Sequence, residues 1–200
     1  MAGHVRYTAV IDACVFYGML KTDVLMSLCT RGLFAAKWSE RIENEWVGHL
    51  KENMPEKVAE IMRRKDQMRL SVQDWEVSEQ SISDIEGCLK LPDMDDRHVL
   101  AAAIVGHADC IVTDDTWGFD KSVVSNYGIE VIDTDSFIIN QLDLDEYQSL
   151  AALKAMRQRW RRPEATAEDF CAAFEKKQAS ADGPTAPRPN RVDLTACSQA

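Results

Sequence analysis

The sequence predicts a three-layer α/β fold with a central parallel sheet and extra helices at its C-terminal end, and three observations carry that prediction. Short apolar runs of strand length alternate with helical segments. The run at 109–113 is nearly all apolar, as a strand covered on both faces must be. Beyond residue 133 the chain turns helical without further strands. At 200 residues the chain suits one compact domain with an appendage.

Residues 7–12 read as a buried strand, because Val10 and Ile11 lead from Thr8 and Ala9 into a polar stop at Asp12. Thr22 stands as the N-cap of a helix over 23–30, with Leu25, Met26 and Leu28 as its apolar side and Gly32 as its stop. Residues 33–38 are a brief strand. Ser39 is an N-cap for 40–51, where Ile42, Trp46 and Leu50 recur every four residues and make one apolar stripe. Pro55 opens a helix through Val58, Ile61 and Met62 to about residue 70, with Arg63, Arg64 and Lys65 on its flank in a structural role.

Residues 71–90 carry no decisive pattern, and the turn Leu91-Pro92-Asp93 delivers the chain to a helix over 95–106. Strands over 109–113 and 128–132 follow, then helices over 136–142 and 145–161, ended by Pro163. Thr166 and Asp169 form a capping pair for a last helix to about residue 177. Residues 180–200 hold three prolines and few large apolar residues, so the tail is expected to be disordered. Strands separated by helices in this rhythm imply βαβ units with right-handed crossovers.

Composition narrows the function. No apolar run approaches the roughly 18 residues of a membrane span, and residues 1–7 lack a signal-peptide pattern, so a cytoplasmic protein without membrane contact is expected. The six cysteines are scattered singly with no C-x-x-C pair, which excludes a zinc knuckle or a redox dithiol. A net charge of −10 argues against adhesion to nucleic acid through a basic surface, so any such chemistry must be local.

Four acidic positions stand where a buried-sheet protein needs a reason for a charge. Asp12 ends an apolar strand, and ligands of open parallel sheets bind at the carboxyl ends of strands; capping of the turn is the plainer reading. Asp96 shares a helix face with Leu100 and Ala103 and so begins a core-facing stripe, although Asp93, Asp95 and Asp96 also suit a helix start. Asp115 follows the 109–113 strand at the edge where Asp12 lies, with Asp114 as its rival. On the helix over 40–51, periodicity does not choose between Glu43 and Glu45.

If such carboxylates converge to about 5 Å, each pair repels by roughly 3 kcal/mol at an effective dielectric near 20, and a cation is needed to hold them. Their oxygens are hard ligands, which selects Mg²⁺, or Mn²⁺, over zinc. The matching chemistry is metal-assisted phosphodiester hydrolysis.

The strand ending T-A-V-I-D at Asp12, the segment S-E-R-I-E-N-E-W, D-D-R-H-V-L-A-A-A from Asp95 and I-V-T-D-D from Ile111 together resemble, in order, the four signature regions of PIN-domain nucleases over roughly residues 7–139. The resemblance implies a PIN-like α/β/α fold. It assigns Asp12 to the first-strand aspartate, Glu45 to the helix glutamate, Asp96 to the aspartate opening the third motif, and Asp115 to the acid of the T-x-D pattern with Thr113 beside it. Asp12 and Asp96 become the expected metal ligands, and Asp114 a supporting residue.

Two positions depart from the pattern. Cys14 stands where a small hydroxyl or amide residue is usual, at the expected loss of a hydrogen bond beside Asp12, and Gly118 stands where a polar or acidic residue is common before Phe119. Length and the added helices resemble VapC-type toxins with a C-terminal extension. That implies a nuclease domain over 1–140, a helical extension over 141–179, an RNA substrate (tRNA, rRNA and mRNA all open), a cognate antitoxin and a homodimer.

His98 and His107, nine residues apart, point to opposite sides of their helix and are both expected at the surface. Residues 93–96 lack the central glycine and distal glutamate of a calcium loop. Arg157, Arg159, Arg161 and Arg162 around Trp160 suit a helix packing Trp160 on the domain, or else a grip on RNA. Leu142, Leu144, Leu150 and Leu153 suggest packing or a surface for an antitoxin helix. Two other functions compete: an acidic-site phosphatase or phospho-receiver, for which Asp12, Ala13 and Cys14 supply no D-x-D, and a PIN-like RNA binder without catalysis.

Overall fold

A computed structural model describes residues 6–160 together with Thr166, Glu168, Asp169 and Ala172. Five strands, β1 (Thr8–Ile11), β2 (Ala35–Ser39), β3 (Glu76–Val77), β4 (Cys110–Val112) and β5 (Glu130–Ile132), form one parallel sheet in the order β3-β2-β1-β4-β5. β1 lies at the centre, with Ile11 opposite Val112 of β4 and Val10 opposite Lys37 of β2. Ala9, Val10, Ile11, Cys110, Ile111 and Val112 are all 0% exposed, which explains why these two strands read as unbroken apolar runs.

Chain order reverses at β1. From β1 the chain steps to β2 and β3 through α1 (Met19–Thr30), α2 (Glu40–Asn53) and α3 (Val58–Ser71). It then returns past β1 to β4 and β5 through α4 (Glu79–Glu86), α5 (Arg97–Val105) and α6 (Lys121–Val124). Right-handed crossovers run in opposite directions therefore place the two sets on opposite faces. α5 packs on β1 and β4 with α4 against it, while α1 packs on β2 and carries α7 (Thr134–Leu144) and α8 (Glu146–Arg159). The crevice of such a sheet opens between β1 and β4, at the carboxyl ends of the strands.

Several elements differ from expectation for local reasons. α1 begins at Met19 and not after Thr22, whose hydroxyl bonds back to the carbonyl of Gly18 at 2.9 Å from inside the first turn. The predicted strand at 33–38 is displaced to 35–39, and Ser39 both ends it and caps α2 by accepting from the Ile42 N–H at 3.2 Å. Residues 71–90 contain β3 and α4; β3 is two residues long, too short for periodicity to register, and Trp75 just before it stacks on Trp38 at 5.1 Å. Gly32 adopts a φ of 82° directly after the cap of α1, the left-handed step expected of a helix stop.

The expected packing role of the last helix holds for its described part. Arg159 donates to Asp23 and to the Ser27 hydroxyl of α1, both at 2.7 Å, and Trp160 packs against the core. Arg161, Arg162, most of the predicted helix beyond Thr166, and the tail over 180–200 lie outside the described residues. Leu153 is buried, whereas Leu144 is exposed. Arg64 on α3 is structural, as expected: it donates to the Phe16 carbonyl at 2.7 Å and the Thr22 hydroxyl at 2.6 Å, and lies over the Trp46 ring at 5.2 Å. Among the described residues no helix is long and apolar enough to cross a membrane.

Candidate active site

Two strand ends and their register build one edge of the site. Since Ile11 pairs with Val112, the next residues, Asp12 and Thr113, face each other, and the Thr113 hydroxyl donates to Asp12 Oδ2 at 2.7 Å. The same hydroxyl accepts the Asp115 N–H at 3.0 Å, so one buried threonine ties the acids of β1 and β4 together. Asp12 does cap its turn, because Oδ1 accepts from the Ala13 N–H at 2.6 Å. One oxygen is thus spent on the backbone, and the other accepts from the Thr113 hydroxyl. Asp115 is built alike, its Oδ1 accepting the Trp117 N–H at 3.3 Å at the head of a 3-10 turn, Thr116–Gly118.

Asp114 lies elsewhere. Its carboxylate takes the Thr134 N–H at 3.1 Å and Lys21 Nζ at 3.1 Å, and Lys21 also reaches Asp135. It is a joint between α1, the end of β4 and the start of α7.

Asp96 immediately precedes α5 and makes no capping bond, against the plain helix-start reading. Its carboxylate lies against Gly118, where any Cβ would overlap it. The absence of a polar residue at 118 is thus a steric requirement of this site. Burial first, then the charges of Asp12, Asp93 and Asp115, push the Asp96 carboxyl from 3.8 up to about 7. Asp12, Asp96 and Asp115 therefore share one electrostatic neighbourhood.

Glu43 and Glu45 separate clearly. Glu43 is 1% exposed and held by Arg69, whose Nε lies 2.8 Å from Oε2, with Lys65 at 3.9 Å. Glu45 has a 41% exposed side chain and lies 3.2 Å from His98 Nε2, without the alignment of a hydrogen bond. His98 corrects the expectation of a surface role. It is 4% exposed, because α5 is buried almost all round from His98 to Ala103, and its Nδ1 donates to the Asp95 carbonyl at 2.6 Å. Burial opposes its charge, yet Glu45 holds its pKa above the usual value. His107, by contrast, is exposed, as expected.

Cys14 corrects the other expectation. Its thiol donates to Asp12 Oδ2 at 3.2 Å, lies 3.3 Å from the Thr113 hydroxyl and accepts the Asp114 N–H at 3.4 Å, so the hydrogen bond beside Asp12 is kept. Burial and the Asp12 charge push this thiol up to about 12, which keeps it a donor. Two exposed aromatics at the site escaped the sequence reading: Tyr17, which stacks on His49 at 4.2 Å, and Trp117. Their places five residues after Asp12 and two after Asp115 were the available signal. Among the described residues no three His, Cys, Asp or Glu side chains already stand in metal-ligand geometry. The acids are close enough to shift Asp96 but are not drawn onto a point.

Residues 8–117 match the PIN-domain family model, and residues 134–181 match the model of the VapC50 C-terminal domain. A curated protein of Mycobacterium tuberculosis (strain ATCC 25618 / H37Rv), named "Putative ribonuclease VapC50", is 39% identical over 61 residues, 30% of this chain. That stretch spans 36% of the relative's length. No solved structure matches. With its family model covering more than half of the sequence, the chain belongs to the PIN-domain family.

Proposed function

We propose that this protein is an Mg²⁺-dependent endoribonuclease acting as the toxin of a toxin–antitoxin pair. The observation that supports it most is the carboxylate group at the switch point of the sheet, where Asp12 and Asp115 are tied through Thr113 and Asp96 is pushed up to about 7 by burial and by its acidic neighbours. Asp12 and Asp96 are the proposed ligands of the ion, with Glu45 and Asp115 completing the site and orienting water. The donor set fits Mg²⁺ or Mn²⁺: its free groups are carboxylate oxygens, and the nearest sulfur, Cys14, is a protonated donor engaged with Asp12. A bound divalent ion would offset phosphate charge and lower the pKa of an attacking water.

The protein's own groups set the geometry for that chemistry. Thr113 and Cys14 converge on Asp12 Oδ2 and fix its rotamer, while Oδ1 is held by the backbone of the following turn. Asp96 is kept in reach because Gly118 leaves room for its carboxylate. The pairing of Asp114 with Lys21, and the charge of Asp115 among those acting on Asp96, support Asp115 over Asp114 as the fourth acid.

RNA as substrate, without a choice among tRNA, rRNA and mRNA, a cognate antitoxin, a homodimer, a cytoplasmic site of action and the division into 1–140, 141–179 and 180–200 belong to the same proposal. Replacing Asp12 by Asn keeps the shape and removes the charge. Induced in cells, the parent is expected to cut a defined set of transcripts and arrest growth, and the variant to do neither while melting within a few degrees of the parent. Cleavage by purified Asp12→Asn at the parental rate would refute the assignment.

A further inference from the structure

Each of the two acids that end β1 and β4 caps a short 3-10 turn, and each turn carries an aromatic side chain into solvent. Asp12 caps Ala13–Tyr17, which ends in Tyr17, and Asp115 caps Thr116–Gly118, which has Trp117 at its middle. Trp117 is 91% exposed, far more than any other tryptophan with a described environment; Trp38, Trp46 and Trp75 are buried and Trp160 packs against the core. Leaving an indole in water forgoes the stabilisation its burial would bring, and the fold gains nothing from its ring.

The turn that carries the ring is nonetheless anchored. The Trp117 backbone N–H donates to Asp115 Oδ1 at 3.3 Å, and Phe119, two residues on, is buried at 3% exposure, so the turn is pinned on both sides of the indole. On the β1 side, Tyr17 is held flat against His49 of α2 at 4.2 Å and an interplanar angle of 23°, and remains 38% exposed. The acidic crevice is thus flanked by one aromatic surface on each capping turn.

We infer that Trp117, with the Tyr17–His49 stack, is a nucleobase-binding site that receives unpaired bases next to the phosphate held at the acids. The inference rests on the ribonuclease reading above and deepens it by naming the side chains of this chain that receive the bases. The chemistry favours bases over other occupants. A protein of net charge −10 carries more acid than base, and Lys21 and Arg41 are already paired with Asp114 and Asp135 and with Glu86 and Glu79. Stacking needs no positive charge and accepts any base face. A duplex, whose bases are already stacked, offers no face to Trp117.

The test uses the full chain carrying Asp12→Asn, so that RNA is bound without being cut, and fluorescently labelled oligoribonucleotides of one sequence, single-stranded or annealed to a complement. Adding Trp117→Ala is expected to weaken single-strand binding by about tenfold or more, adding Trp117→Phe to restore most of it, and neither to change duplex binding. The quenching of the Trp117 indole on RNA addition should be lost in the Ala and the Phe forms alike, while the affinity separates them. Equal single-strand affinity in all three forms, with the parental protein still cutting RNA, would overturn the stacking site and leave the nuclease reading intact. Unchanged RNA binding accompanied by lost association with the protein encoded beside this gene would overturn it in favour of a protein contact. A parent that neither binds nor cuts RNA would overturn both.

Discussion

Neutralising Asp96 should make the metal-free protein more stable while destroying its proposed activity. The Asp96 carboxyl is raised from 3.8 to about 7, first by burial and then by the charges of Asp12, Asp93 and Asp115. Because the folded state holds its proton more tightly than the unfolded chain, stability is fully present below about pH 4 and is lost as pH rises through about 7. At roughly 1.4 kcal/mol per tenfold change in proton affinity, the full rise corresponds to about 4 kcal/mol at pH 8, and the part of Asp96 open to solvent reduces this to an order of 2 kcal/mol. An amide at 96 has no such charge to lose. Asp96→Asn is therefore expected to melt higher than the parent by about 4–8 °C at pH 8 in EDTA, and at nearly the same temperature at pH 4.

Divalent ions should act unequally on the two forms. Mg²⁺ added at pH 8 should raise the parental melting temperature with a saturable dependence, since an ion bound only by the folded state stabilises it by mass action, and should move the Asp96→Asn form much less. Calorimetry at pH 4, 6 and 8, with and without the ion, is the assay. A variant no more stable than the parent at pH 8, or a parent whose stability fails to fall between pH 5 and 8 relative to the variant, would refute the electrostatic account of the site.

Glu43→Gln is expected to cost about 3 kcal/mol or more in denaturant melts, because it leaves Arg69 and Lys65 without their buried acid, whereas Glu45→Gln should leave stability within about 0.5 kcal/mol and abolish RNA cleavage. Gly118→Ala should force the Asp96 carboxylate from its place and raise the Mg²⁺ concentration for half-maximal cleavage by roughly tenfold, read from a metal titration, with a circular dichroism spectrum like the parent's. Phe137→Ala removes a 1% exposed ring that meets Phe34 edge-on at 4.8 Å, and should cost about 3–5 kcal/mol in urea unfolding.

What the sequence disclosed follows from how local each signal is. β1 and β4 are covered on both faces, so their apolar runs and polar stops were plain, and with them the edge at which Asp12 and Asp115 meet. Ser39 was plain as a cap because its partner, the Ile42 N–H, is three residues away. Glu43 could not be told from Glu45 by the helix stripe, since what separates them is Arg69, twenty-six residues further on α3. Asp114 likewise needed Lys21 and Thr134, contacts that only the folded chain brings together. His98 was misplaced because a helical wheel assumes one wet side, and α5 lies inside the molecule with scarcely any.

The position of β1 has a consequence for synthesis. The first strand to leave the ribosome is the middle strand of the finished sheet, and its partner on one side, β4, is made about a hundred residues later. Until Thr113 has been translated, Asp12 has no hydroxyl to orient it and Asp115 does not exist, so a nascent or truncated chain carries an incomplete set of acids. The acids of the proposed site are therefore brought together only after residue 115 has been made.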